Sequence, residues 1–270
     1  MLNKPVVFLD EMTPDWLISY SLWIGLILLL ASALTGKSLL AVPGWAFFGF
    51  FWLSQPWHYM ALEDYFNVAL VIAAGLLCLY MAWTLLRVGN SSEACSWASL
   101  AAATCGIIYF PFAMIEPLQS SLIALTTSIT AGSLQLFSVP VMLKSWNIMV
   151  LNGKSVEIIL ACTAIESIAL FAGVILSVKA PPSRKLVALA ASTISIYLLN
   201  IVRNGFVLMA YGWSWFGSDS FNIAHNIIAK VGSTIALLAI SYLIFLLLPE
   251  LLMLIDELAD EIRPKKGEAA

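Results

Sequence analysis

Read for apolar and polar positions, the chain is a series of hydrophobic runs separated by short polar breaks. Runs near 20 residues predict membrane-spanning helices. About seven are expected: Trp16 to Leu34, Leu39 to Leu53, Phe66 to Leu86, Ala94 to Ile115, Leu160 to Val178, Leu186 to about Tyr211, and Phe221 to Leu248. The second is short, carries Pro43 and Gly44, and clusters Trp and Phe residues like an interfacial belt. Leu118 to Phe137 breaks the pattern. It interleaves Leu and Ile with Ser120, Ser121, Thr126, Thr127, Ser128, Thr130 and Ser133, and is expected to lie on the membrane surface. Between it and the fifth run, Trp146–Leu151 and Ser155–Ile159 flank Asn152-Gly153. Asn-Gly between two such runs is a strong β-hairpin signal. The fold class is therefore all-α integral membrane protein, with a small extracytoplasmic hairpin and a surface helix.

Composition agrees. Of 270 residues, 61% are hydrophobic and 11% charged, with a mean hydropathy of +0.94. A soluble domain runs roughly 45–50% apolar and about 25% charged. The net charge of -3, with no basic patch, gives no reason to expect a nucleic-acid partner. Cys78, Cys95, Cys105 and Cys162 show neither a disulfide framework nor metal-ligand spacing. No metal or organic cofactor is implied. Met1 to Asp15 lacks the basic region of a cleaved signal. One polytopic domain is expected over 1–248, with its catalytic part at about 139–248, and a solvated, polar cytoplasmic tail over 249–270.

Charge also sets orientation. The turn with Lys179, Arg184 and Lys185 is the strongest basic loop and should be cytoplasmic. Alternation over seven spans then puts Lys37, Arg87, Arg263, Lys265 and Lys266 inside as well, against Lys4, Lys144 and Lys154 outside. The N-terminus is expected outside, in a multi-pass protein of the cell membrane.

That topology carries Cys162, Arg203 and His225 to the extracytoplasmic ends of the last three runs. A cysteine thiol, with an ordinary pKa of about 8.5, becomes a nucleophile when positive neighbours favour the thiolate. His225 can take its proton and return it to a leaving group. Arg203 stays charged and can stabilise an oxyanion. Glu166, four residues after Cys162, is expected on the same helical face. An acid within an apolar run is a functional-site candidate. Glu166 and Lys230 are expected to support the site, orienting His225 or pairing with each other. His58 is the rival base.

The pattern Ala161-Cys162-Thr163, then Asn200-x-x-Arg203, then His225, each at the outer end of a successive late run, resembles the exosortase/archaeosortase family. So does a hairpin before the cysteine. Phe48-x-x-Phe51-Trp52, Pro56-Trp57-His58 and Ile108-Tyr109-Phe110-Pro111-Phe112 resemble its archaeosortase branch. The resemblance covers about Trp45 to Leu248. Family members carry Arg or His at the third position, and His225 is this chain's candidate. The resemblance implies a membrane-embedded cysteine transpeptidase. Its partner would be the C-terminal sorting helix of secreted surface proteins such as surface-layer glycoproteins, behind a short motif (Pro-Gly-Phe in the archaeosortase branch). A membrane lipid would accept the new C-terminus.

Two other classes fit an apolar bundle holding Glu166, Arg203 and Lys230. A transporter would need a through-going polar path, whereas these residues gather at one level, and no internal repeat is visible. A non-catalytic scaffold would tolerate loss of the thiol. Hydrolysis without lipid transfer is the variant of the enzymatic reading.

Overall fold

The computed structural model describes residues 15–61, 63–88 and 92–262. The expectations on the N-terminal stretch, on the turn near Gly89 and on Arg263, Lys265 and Lys266 lie outside these. Two compact units divide the chain: 1–104 with 252–270, and 105–251.

The first unit is built from helices α1 (Asp15–Thr35), α2 (Ala41–Ser54), α3 (Pro56–Ala61), α4 (Tyr65–Val88) and the start of α5 (Glu93–Met114). Its helices meet where side chains are missing. A Cβ on Gly25 of α1 would lie 2.9 Å from the Phe48 nitrogen and 3.0 Å from the Gly44 oxygen of α2. Glycine therefore sets the α1–α2 spacing, as in close-packed membrane helices. Trp45 Nε1 donates to Ser99 Oγ at 3.0 Å inside this unit. The end of α11 (Glu250–Ile262) also belongs here. Glu261 accepts from Ser92 Oγ at 2.6 Å and Cys95 Sγ at 3.0 Å, and Tyr80 donates to the Ile262 carbonyl at 2.5 Å. The segment expected to be solvated is thus an amphipathic helix as far as Ile262, with Leu251 and Leu254 buried.

The second unit contains the rest of α5, then α6 (Glu116–Leu136), strands β1 (Met142–Ser145), β2 (Ile148–Leu151) and β3 (Lys154–Glu157), α7 (Ile165–Ser177) and α8 (Pro182–Gly212). A turn α9 (Ser220–Asn222) runs through a π-helical stretch, Ile223–Ala229, into α10 (Lys230–Leu247). The hairpin is where the pattern put it. Leu151 pairs with Lys154, and Asn152 and Gly153 between them both have positive φ, 52° and 76°. That is the mirror-image turn whose twist matches paired strands, and it explains the Asn-Gly. The sheet has a third strand that the pattern did not reveal. β1 lies antiparallel on the other side of β2. Along β2 the side chains alternate, and Met149 and Leu151 are fully buried against Ile123 and Leu134 of α6 and Leu208 of α8. The sheet is thereby fixed to both helices.

Among the described residues five helices are long and apolar enough to cross a membrane: Trp16–Thr35, Tyr65–Arg87, Glu93–Met114, Pro182–Gly212 and Gly217–Leu247. The other two expected spans are shorter than their apolar runs. α2 has 14 residues, because a 3-10 turn takes Ser38–Leu40 and Pro56 opens the next helix. α7 has 13, because Leu160–Cys162 form a 3-10 turn and Val178 is extended ahead of Pro181 and Pro182. At 1.5 Å per residue it covers about 20 Å, against a hydrocarbon core of about 30 Å. α6 forms over the stretch expected as a surface helix, and its Thr126, Thr127 and Thr130 are buried.

Candidate active site around Cys162

Cys162 does not sit on a helix. After β3, the Ile158 N–H donates to the Asn147 carbonyl at 2.8 Å, and the chain tightens into the 3-10 turn. The Cys162 N–H reaches the Ile159 carbonyl at 2.8 Å. The Thr163 N–H and hydroxyl both reach that of Leu160, at 2.9 and 2.7 Å. Ala164 then takes a left-handed conformation (φ 65°, ψ 4°), and α7 begins at Ile165. That conformation costs a non-glycine residue roughly 1–2 kcal/mol. Strain of this kind gathers at functional sites. The break also corrects the helical spacing of Cys162 and Glu166. The two do not share a helical face, since the backbone between them reverses its hand. Glu166 is exposed in the first turn of α7, with the Tyr109 hydroxyl a long 3.5 Å away.

A carbonyl leaving a broken turn needs a partner. That of Cys162 has two, both from α8: Asn200 Nδ2 at 2.7 Å and Asn204 Nδ2 at 2.9 Å. Both asparagines are buried, 8% and 5% exposed. Asn200 and Asn204, four apart, share one face of α8, and Arg203, three after Asn200 and one before Asn204, lies at the edge of that face. Cys162 is half-buried and, like Leu160, Met209 and Tyr211, packs against the buried cluster that holds Met149, Leu151 and Leu208. The hairpin grips the same helix further along. Lys154 Nζ donates to the Tyr211 carbonyl at 2.8 Å and Ser214 Oγ at 2.6 Å, and lies 4.8 Å from the Tyr211 ring centre. A cation at the last carbonyls of a helix is favourably placed.

His225 lies half-buried within the π-helical stretch, its ring stacked on Phe221 at 5.2 Å. Such wide turns are rare and frequent at functional sites. Arg203 and Lys230 are near enough to act on His225 electrostatically. The structure therefore brings the Cys162 turn to Asn200 and Asn204 of α8, the helix that also carries Arg203. Neither the thiol nor the imidazole makes a hydrogen bond among the described residues. Lys230 is exposed and forms no ion pair with Glu166. His58 is exposed in the first unit. No group of three or more His, Cys, Asp or Glu among the described residues could hold a metal ion.

Asn204, Ala164, Lys154 and the π-helical stretch were not apparent as functional positions in the sequence. Asn204 had a visible signal: a second amide one turn after Asn200 in an apolar helix. Lys154 was visible only as a charge outside the spans, and the wide turn and the left-handed alanine leave no mark in the apolar pattern.

Comparison with known proteins gives the family of the chain. The family model for the transmembrane exosortases (Exosortase_EpsH) matches residues 7–246. The chain belongs to that family, and it is a membrane protein. It is 30% identical over 251 residues to archaeosortase A of Haloferax volcanii, covering 79% of this chain and 81% of that protein. It is 27% identical over 252 residues to archaeosortase A of Natronomonas pharaonis, covering 81% and 78%. No solved structure matches the chain.

Proposed function

We propose that this chain is a membrane-embedded cysteine transpeptidase that cleaves a Pro-Gly-Phe-type C-terminal sorting signal from secreted surface proteins, such as surface-layer glycoprotein. The new C-terminus passes to a membrane lipid. The observation that carries this is the Cys162 turn, hydrogen-bonded at 2.7 and 2.9 Å to Asn200 and Asn204 of α8, the helix that bears Arg203. Kinship with two archaeosortases A supports the substrate class.

In this reading His225 takes the Cys162 proton. The thiolate adds to the carbonyl carbon near the sorting motif, and Arg203 receives the negative charge on oxygen. When the intermediate collapses, the C–N bond breaks and His225 returns the proton to the departing amine of the helical tail. A thioester remains on Cys162. A lipid headgroup nucleophile or water then attacks it and regenerates the thiol. Thiol–imidazole contacts are commonly long before substrate binds and tighten in the complex. The basic turn at Lys179, Arg184 and Lys185 supports a cytoplasmic location for that loop, which leaves Cys162 on the extracytoplasmic side. The reaction centre lies within 139–248, and 249–270 faces the cytoplasm.

The test is covalent trapping. The purified chain is incubated in lipid with a peptide carrying Pro-Gly-Phe and an apolar tail, and intact mass is measured. A hydroxylamine-labile adduct that disappears in Cys162→Ala is expected. Full processing by Cys162→Ala would overturn the mechanism. Absence of both adduct and cleavage in a folded sample would favour a binding or transport role.

A further inference from the structure

The carbonyl of Cys162 is held in an unusual way. A carbonyl at a chain break normally finds one backbone donor or water. This one takes two side-chain amides from a single helix, at 2.7 and 2.9 Å. Both donors are buried, so neither is held there by chance exposure. The left-handed Ala164 keeps this carbonyl out of the α7 ladder, whose first bond runs from the Ile168 N–H to the Ala164 carbonyl. The turn is thus free of its own helix and bound to another.

We infer that Asn200 and Asn204 form a two-point clamp that sets the position of the Cys162 thiol relative to Arg203. They are positioning residues for the reaction proposed above, and the inference rests on that reading. One amide would fix a distance and leave the peptide plane free to rotate about it. Two amides one helical turn apart fix the plane that contains the Cys162 Cα, and the Cys162 N–H bond to the Ile159 carbonyl holds the other side of the residue, so that together they set the direction of the Cα–Cβ bond. Because Arg203 lies on the same rigid helix, α8 carries both the guanidinium and the anchor of the nucleophile. Thiol and oxyanion site are then referred to one element, the arrangement that holds reacting groups most closely. A displacement near 1 Å can cost roughly 100-fold in rate.

The experiment uses the full chain in lipid with the Pro-Gly-Phe peptide, comparing Asn200→Leu, Asn204→Leu and the double variant. Leucine keeps the volume and removes the donor. We expect kcat to fall about 10- to 100-fold in each single variant, with KM near that of the parent, and further in the double. Asn204→Gln, which keeps an amide donor, should recover part of the loss. A direct readout accompanies the rates. With cysteine labelled at its carbonyl carbon, the four cysteines give four NMR signals, and the one absent from Cys162→Ala belongs to Cys162. That signal should move in each Leu variant. Parent-like kcat in both single variants, or an unmoved carbonyl signal, would overturn the clamp even where Cys162→Ala is inactive. Should the double variant not fold, the single variants decide, since each retains one donor. Should Cys162→Ala process the peptide fully, the nucleophile reading fails first. A shifted carbonyl signal would then describe a structural anchor without a role in the reaction, which overturns the positioning role.

Discussion

The two units differ in where their backbone is regular and what holds it. In the first, helices approach through absent side chains. Gly25 and Gly44 let α1 and α2 nearly touch, with a Cβ on Gly44 only 3.0 Å from the Leu29 backbone nitrogen. In the second, irregular backbone is held by side chains. Asn200 and Asn204 hold the Cys162 carbonyl, Lys154 holds the end of α8, and Ala164 and the π-helical stretch depart from regular geometry. Regular packing spreads its stabilisation over many small contacts. Irregular backbone persists only where its surroundings over-determine it. That difference supports placing the reaction proposed above in the second unit.

Substitutions should separate the two. The largest effect belongs to Arg203→Ala. Loss of an oxyanion donor is expected to lower the rate of peptide processing roughly 10²–10³-fold, with little change in thermal stability. Arg203→Lys should recover only part, because an ammonium lacks the planar fork. A processing assay beside a melting curve checks both halves. In the first unit the pattern reverses. Gly25→Ala would push a methyl into the backbone of α2, which cannot move aside as a flexible side chain would. Destabilisation of about 1–3 kcal/mol is expected. The rate per folded molecule should stay at the parent value. If Gly25→Ala instead slowed catalysis at full stability, the division of labour drawn here would be wrong.

Much of this contrast was legible in the chain. Asn152-Gly153 announced its hairpin because a two-residue turn with two positive φ angles admits few other residues. Cys162, Arg203 and His225 stood out as reactive types in apolar runs. What escaped depended on tertiary context. Apolarity continues from Leu160 to Val178 without a gap, so nothing in hydropathy reveals that Leu160–Cys162 coil away from the helix. Likewise, α2 is apolar throughout yet 14 residues long. β1, with Met142 and Leu143 exposed and Val139 and Val141 buried just before it, has no alternation of its own and forms only because β2 offers an edge.

Ala164 gives a smaller effect of the opposite sign. At φ 65° a Cβ is strained, and Ala164→Gly relieves it at the cost of a more flexible unfolded chain. A net gain of about 0.5–1 kcal/mol in stability is expected, read as a higher melting temperature in detergent. Catalysis should not rise with it. A loss of stability would mean that the alanine methyl makes a packing contact worth more than the strain, and that the turn is less over-determined than the clamp implies.

The smallest effect concerns pH. Glu250, at the first residue of α11, is held below the ordinary carboxyl range, first by its own backbone N–H and then by Arg184, which donates to it at 2.5 and 3.2 Å. A lowered folded value means the charged form is the one the fold favours. Its contribution is present above the ordinary glutamate value of about 4.3 and is lost as pH falls through the lower folded one. The pair is partly exposed, so salt should weaken it. Melting curves between pH 7 and pH 3 for the parent and Glu250→Gln test this. The two should differ slightly at neutral pH and converge in acid, and added salt should narrow the neutral gap. A gap that persisted unchanged at pH 3 would show that Glu250 anchors α11 through packing rather than charge. The start of α11 would then be held by fit, as α1 and α2 are, and not by the polar contacts that characterise the rest of its unit.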